Sequence, residues 1–520
     1  MRIGKKEDNG QNDRMPSMAG KEIDSDHDVF LKHSLSSNIK LLNRYVSKDA
    51  DVVFRFLKLL DGQQNAVLVY VDNLADNQSI QQHIIAPILK EFGKAKGVLP
   101  GPVKIDRLKD SVVTARCVAE TNKLNECVLE IFKGNTVFIL DGSNRALIFT
   151  TPGWKTRDQD EPLGEPSIRG PRDSFVESLQ ENIVRVRRRI RDSSLTVKKY
   201  SLGRRTKTEV AVMYLSGVAN QKIVDELDHR ITKIDTDSIV ASGYIEQFIE
   251  DNILTVFPQV QYSERPDKTA AAILEGRIAI LVDNTPFVLI VPTVFSMFIQ
   301  APDDYYDRWI YSTFIRCIRY VAILISLFLP AFYVSLISFH QGLIPTRLVI
   351  FAAATREGIP FPALIEALIM EVTLEILREA GVRLPKSIGQ AVGIVGGLVI
   401  GEAATNAGIV SPVMVIIVAL TAVSSFSIPQ YSIGISMRIL RFFIIFAAGV
   451  FGLYGVVMAF LMVTANLTKL RSFGLDYMSP LAPFRMGDMK DFLIRLPMPA
   501  MKRRPRTLKN RDEKRQGDED

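Results

Sequence analysis

Ser387-Ile388-Gly389-Gln390-Ala391-Val392-Gly393-Ile394-Val395-Gly396-Gly397-Leu398-Val399-Ile400-Gly401-Glu402 opens the stretch of sequence that decides the fold. From Ser387 to Thr468, 82 residues carry only three charged side chains: Glu402, Arg438 and Arg441. A soluble domain of that size cannot leave its surface so bare of charge, so the stretch belongs in a membrane. Gly389, Gly393, Gly397 and Gly401 recur every fourth residue and fall along one side of a helix. Missing side chains let a neighbouring helix approach closely, so this stripe reads as a packing face. Val395, Leu398, Val399, Glu402 and Asn406 lie on the other side. One acidic group on a small-residue helix fits a pore or ion pathway. It also fits a packed helix whose Glu402 bonds a hydroxyl of the Ser- and Thr-rich span 421–427.

The apolar pattern repeats on either side, predicting an α-helical multi-pass membrane domain over 320–466 with spans near 320–339, 388–409, 412–428 and 442–464. The first span holds 20 residues without a charge, enough to cross about 30 Å of hydrocarbon. Pro330 falls at its middle, where it frees a carbonyl and can kink the helix. Arg316 and Arg319, in a juxtamembrane segment 301–319, place the preceding residues in the cytoplasm. Four spans bring the chain back to that side, so 467–520 is expected to be a basic cytoplasmic tail whose Lys502-Arg503-Arg504-Pro505-Arg506 faces lipid headgroups.

Residues 360–380 are neither soluble nor spanning in composition. Glu371, Glu375, Arg378 and Glu379 share one arc of a helical wheel and apolar residues cover the rest, which predicts a helix on, or dipping into, the membrane. Glu366 breaks the pattern. An intramembrane carboxylate there needs a partner, a protein interface or water, unless it only complements the helix dipole.

The first 300 residues read as an α/β cytoplasmic region of two similar subdomains. A polar amino-terminal segment (1–40, disordered over 1–28) leads into subdomain 1 (41–152), a linker (153–173) rich in Pro and Gly, and subdomain 2 (174–300). The strand run Ala66-Val67-Leu68-Val69-Tyr70-Val71 is echoed by Val210-Ala211-Val212-Met213-Tyr214-Leu215. Gly134 to Gly142, with Asp141 at the turn, is echoed by Gly276 to Asn284, with Asp283 at the turn; both read as hairpins whose turn positions tolerate positive φ. Tyr70 and Gly134 are 64 residues apart, Tyr214 and Gly276 are 62 apart, and that matched spacing is the signature of duplication. Ser174 and Glu177 predict a capping box opening a helix with Phe175, Leu179, Ile183, Val186 and Ile190 inward. Arg185, Arg187, Arg188, Arg189 and Arg191 occupy its other faces and predict a subunit-facing, lipid-facing or solvated basic surface. No aromatic platform or nucleic-acid motif accompanies them, so nucleic acid is not an expected partner.

Composition narrows the chemistry. Three cysteines without metal-type spacing and five scattered histidines fit a reducing compartment and give no metal site. No signal peptide, phosphate-binding glycine loop with its lysine, or nucleophile elbow is present, so neither an enzyme nor a cofactor is expected.

Gly170-Pro171-Arg172-Asp173-Ser174-Phe175-Val176-Glu177-Ser178-Leu179 with the Arg-rich stretch after it, Pro360-Phe361-Pro362 through Glu366, and Ser387-Ile388-Gly389-Gln390 through Gly401-Glu402-Ala403-Ala404 resemble hallmarks of one family. The family is that of the A subunits of bacterial spore germinant receptors and their close paralogues, and the likeness covers nearly the whole chain. The resemblance implies a multi-pass protein of the spore inner membrane, working with a permease-like B subunit and a lipoprotein C subunit. It also implies a homo-oligomeric, channel-forming or signal-transducing role in ion release during germination. The alternative from another class is a secondary ion or amino-acid transporter using Glu366 and Glu402. The visible repeat lies in the soluble part and not in the membrane part, which counts against a transporter.

Overall fold

The computed structural model describes residues 29–46, 50–92, 105–108, 117–153, 161–162, 164–384, 396–397 and 399–516. They form two compact units, one of 1–154 with 190–198, the other of 155–189 with 199–520.

The first unit is built on α1 (Leu35–Val46), β1 (Val52–Leu59), β2 (Gln64–Val71), α2 (77–92), β3 (Cys117–Thr121), α3 (Leu124–Phe132), β4 (Thr136–Leu140) and β5 (Ala146–Phe149). Its sheet runs β1-β2-β4-β5-β3, antiparallel at each pairing. The unbroken apolar run of β2 is buried from Ala66 to Val71 because helices cover the sheet. Ile80, Ile84 and Ile88 of α2, spaced by a helical turn, pack on Leu68, Phe138 and Leu147.

In the second unit the same order returns. Its α/β part contains α4 (Leu179–Arg189), the 199–202 end of β6 (Leu195–Leu202), β7 (Thr208–Leu215), α5 (Gln221–Thr232), α6 (Ser242–Ile249), β8 (Gln261–Ser263), α7 (Pro266–Leu274), β9 (Ile278–Val282) and β10 (Val288–Val291). The sheet runs β6-β7-β9-β10-β8, position for position the order of the first. Fine detail repeats as well. Asp141 Oδ1 accepts the first backbone N–H of α1 at Leu35 (2.9 Å), and Asp283 Oδ1 accepts that of α4 at Leu179 (3.1 Å). Asn38 brackets Lys32 through its N–H and carbonyl, and Asn182 brackets Val176 identically. Asp76 caps α2 at Gln78 as Asn220 caps α5 at Lys222. Only the second turn residue of each hairpin, Gly142 and Asn284, takes positive φ.

Four expectations change here. The amino-terminal segment is structured from residue 29, and α1 starts at Leu35, inside the stretch 1–40; residues 1–28 lie outside the described residues. The helix expected from Ser174 begins at Leu179, because the Asp283 carboxylate supplies the cap and the Ser174 hydroxyl instead donates to the Glu264 carbonyl. The segment 164–173 is no free linker: Glu165 pairs with Lys268 (2.6 Å), and Ser167 bonds Asp303. The arginine-bearing face of α4 is not an open basic surface. Arg187 is buried, Arg189 holds Asp173 with two bonds of 2.6 Å, and Arg185 stands 3.7 Å from Glu181.

The apolar half follows with α8 (Trp309–Ser338), α9 (Thr346–Ala354), α10 (Ala363–Arg383), a short helix over 399–406, α11 (Pro412–Phe426) and α12 (Tyr431–Lys469). Two of these, α8 and α12, are long and apolar enough to cross a membrane. The second is not a straight rod. As one rod its 39 residues would reach roughly 58 Å, yet both ends meet the same short stretch of subdomain 2. Gln430 donates to the Tyr262 carbonyl (2.8 Å), and Ser472 donates to that of Gln259 (2.9 Å). The chain turns back at Gly452 (φ 61°, ψ −142°), where a side chain would strike His340 and Phe339. The expected span 442–464 therefore straddles a reversal between two arms.

Contacts fix the direction of each leg. Glu371 faces Arg441, Glu375 faces Arg438 and Leu364 fills the space beside Gly449, so α10 lies antiparallel to the first arm of α12. Phe328 meets Phe460 (centroids 5.8 Å apart), so α8 lies antiparallel to the second arm. The helix expected to lie on, or dip into, the membrane runs along the full height of its neighbour.

The tail does not hang free. Leu508 is buried in the core of subdomain 2 with Val210 and Ile280, and Asn510 donates to the Glu275 carbonyl (2.6 Å). Asp491 receives Arg316 (3.0 Å), whose other guanidinium arm reaches Asp304 at 3.3 Å. Lys502 and Arg503 remain exposed, whereas Arg504 is held by Asp512.

Candidate functional site

The polar groups of the apolar half gather in one ladder along α10. At its far end Glu366, with no solvent exposure, sits at the start of α11. It accepts from the Ser411 backbone N–H (3.1 Å) and hydroxyl (3.0 Å), and Arg356 Nη2 stands 2.8 Å from its other oxygen. The Ser411 hydroxyl also caps α11 at Met414 and lies 3.3 Å from the Tyr333 hydroxyl. One carboxylate thus ties α8, α10, α11 and the loop after α9. The sequence singled out Glu366 but not Arg356, Ser411 or Tyr333, which are up to 45 residues away along the chain.

One helical turn and a half nearer the soluble part, Glu371 and Arg441 face each other at 3.4 Å, each 1% exposed. Glu371 Oε1, Arg441 Nε and Arg441 Nη1 have no hydrogen-bond partner among the described residues. The next turn holds Glu375 between Arg438 (2.8 Å) and Arg378 (3.0 Å), and Arg378 also donates to Ser425 (3.3 Å). The Arg378 and Arg438 guanidinium groups each lie 5.4 Å from a ring centre, Phe426 and Tyr431 respectively. Glu371, Glu375 and Arg378 of the charged arc are therefore turned inward, where Glu371 and Glu375 meet arginines of α12, whereas Glu379 is exposed and pairs with Arg383 of its own helix. That choice follows from cost: an unpaired charge in hydrocarbon is expensive, and the two arginines of the otherwise uncharged stretch are its available partners.

A second group of predicted residues lies apart from the ladder. Val399 is 55% exposed, and Glu402, Ala403 and Asn406 are exposed too, so one face of the helix over 399–406 has no cover among the described residues. No hydrogen bond or ion pair joins the Glu402 carboxylate to the described residues, so it makes no bond to the hydroxyls of 421–427 there. Gly401 is covered, with Val415 3.4 Å from where a side chain would begin. Gly397 meets nothing within 4 Å among the described residues. Gly389, Gly393, Val395 and Leu398 lie outside the described residues.

Among the described residues no cluster of His, Cys, Asp or Glu could hold a metal ion. Among the described residues the site is thus a set of buried ion pairs and, apart from it, an uncovered acidic helix face.

The family described as Bacillus/Clostridium GerA spore germination protein matches residues 40–507. The chain is 44% identical over 492 residues to spore germination protein KA of Bacillus subtilis (strain 168), covering 94% of this chain and 89% of that protein. It is 42% identical over 490 residues to the uncharacterized membrane protein YfkQ of the same organism, covering 94% of each. The crystallised N-terminal domain of the A subunit of the Bacillus megaterium spore germinant receptor GerK3 aligns at 32% identity and TM-score 0.38, over 98% of that domain and 52% of this chain. A match over most of the length of both partners fixes the kinship, and the chain belongs to the GerA family of spore germination proteins.

Proposed function

We propose that this chain is the membrane-embedded A subunit of a spore germinant receptor, and that several copies surround one axis to form an ion path. The observation that carries this reading is the uncovered face Val399, Glu402 and Asn406 on a helix of the apolar half. A carboxylate facing lipid is costly, so Glu402 calls for either water or neighbouring subunits, and a pore at a subunit junction supplies both. Val395 and Leu398 join the same face by helical spacing, and the glycine stripe behind it serves close packing between helices. The B and C subunits follow as partners from family membership. The helices of the apolar half form a multi-pass membrane domain, and the α/β subdomains and the tail stay in the cytoplasm.

The transporter reading needs Glu366 and Glu402 to act in one chamber. Glu366 is closed in by Arg356 and Ser411, whereas Glu402 is on the outer surface of the chain, which favours the subunit-junction reading.

The test is ion flux through proteoliposomes carrying the purified complex. Val399→Ala widens an apolar constriction and is expected to leak without nutrient, while Glu402→Gln lowers cation flux at unchanged assembly. Wild-type flux from both assembled variants would remove this helix from the conduction path.

A further inference from the structure

Subdomain 2 displays a small apolar prow. Between Asn252 and Pro258 the chain reads Ile253-Leu254-Thr255-Val256-Phe257, without a charge. Leu254 is 95% exposed and Ile253 78%, the most exposed apolar side chains of a stretch in which Tyr244 and Phe248 are half-exposed and Phe257 is buried. Exposure at a loose tip would mean little, but this loop is held at its base. Gln259 Oε1 accepts the Asp251 and Asn252 N–H groups (3.1 and 3.0 Å), and its amide donates to the Asn252 carbonyl (2.6 Å). Asn252 Oδ1 accepts the Leu254 N–H (3.0 Å), and Asp251 is held by Arg230 and by the Phe473 N–H. Six polar contacts therefore present two bare aliphatic side chains to the outside.

The height of the loop is fixed by the helices. The Val256 carbonyl accepts from Ser436, more than one turn into α12, and Phe257 is buried among the residues of the apolar half, with Ile433 and Met437. Ile435 and Ile439, either side of Ser436 on that helix, are exposed, so the prow continues an outward apolar surface. The charges nearest the tip, Glu250 and Asp251, stay at its base.

We infer that residues 253–256 are an interfacial anchor, with Ile253 and Leu254 inserted at the headgroup–acyl boundary of the bilayer. This rests on the membrane reading of α12 given above. A lipid occupant suits the site because the tip is narrow, apolar and level with the first turns of a lipid-facing helix, where apolar side chains partition into the boundary. The anchor would couple subdomain 2 to the membrane surface independently of the polypeptide links through α8 and the tail.

The experiment uses the full chain in liposomes with both native tryptophans, Trp154 and Trp309, replaced by Phe. Leu254→Trp reports the tip, and Phe446→Trp, on the exposed side of α12, reports the depth of the helices. Lipids brominated near the headgroup end or near the tail end of the acyl chain serve as quenchers. The expected result is blue-shifted emission at 254, lost chiefly to the shallow bromines, with emission at 446 lost to the deep ones. Quenching at 446 with none at 254 overturns the anchor and leaves the membrane reading standing. Blue-shifted but unquenched emission at 254 means that protein covers the tip, and also overturns it. Absence of quenching at both positions removes the membrane reading and the anchor together.

Discussion

Gly452 is the residue on which the apolar half turns. Its φ of 61° with ψ of −142° is open to glycine and strained for any residue with a side chain. Gly452→Ala is expected to cost about 1–3 kcal/mol from backbone strain alone, and the added methyl meets His340 and Phe339 at 2.9–3.0 Å. A lower yield of monodisperse protein and a lower melting temperature in detergent are the readouts; unchanged values would mean that the turn is not needed. A second residue effect depends on pH. Burial, aided by the Glu250 charge, pushes the Glu246 carboxyl up to about 7 from its ordinary 4.5. A raised acid contributes stability that is full below its unfolded value and lost as pH rises through about 7. Glu246→Gln should therefore melt higher than wild type at pH 8, by on the order of 1–3 kcal/mol, and match it at pH 5. Equal melting of the two proteins across that range would refute the shift. Asp141 and Asp283 illustrate what single residues disclosed in advance. Both were legible as turn residues, but their second task, capping helices that start about 105 residues earlier, has no local signal.

Among elements, α10 divides most sharply between what patterning conveys and what packing decides. Its charged arc was legible as an arc, and a helix on, or dipping into, the membrane was the reading it supported. The partners Arg438 and Arg441 lie more than 60 residues downstream, between two of the expected spans, so periodicity alone could not pair them. Breaking such a pair should be costly in one direction only. Arg441→Met or Glu371→Gln alone is expected to lose about 3–5 kcal/mol by leaving a buried group uncompensated, and the double variant should recover much of it. Thermal unfolding of the three variants in one detergent forms the cycle, and additive losses would mean that the two groups act independently. The long apolar run of α12 misled for a related reason. Composition reports that a segment is buried or in lipid, but a one-residue reversal at a glycine leaves hydropathy untouched.

The whole molecule was most legible where it repeats. Matched strand runs and hairpins at spacings of 64 and 62 residues predicted two like subdomains, and the two sheets share one strand order. The fate of the tail was not legible, since a basic, proline-bearing segment gives no pattern that names its berth. Its placement sets an order of events on the ribosome. Leu508 completes a core most of whose other members, from Leu202 to Val291, are made before any of the apolar helices, with Phe473 and Leu475 following them. Subdomain 2 thus waits, with an open seam, through synthesis of the apolar helices of 309–469, and closes only when residues 473–508 arrive. A nascent chain stalled anywhere in that interval carries an unfinished soluble body, so the tail marks that the apolar half has been made in full.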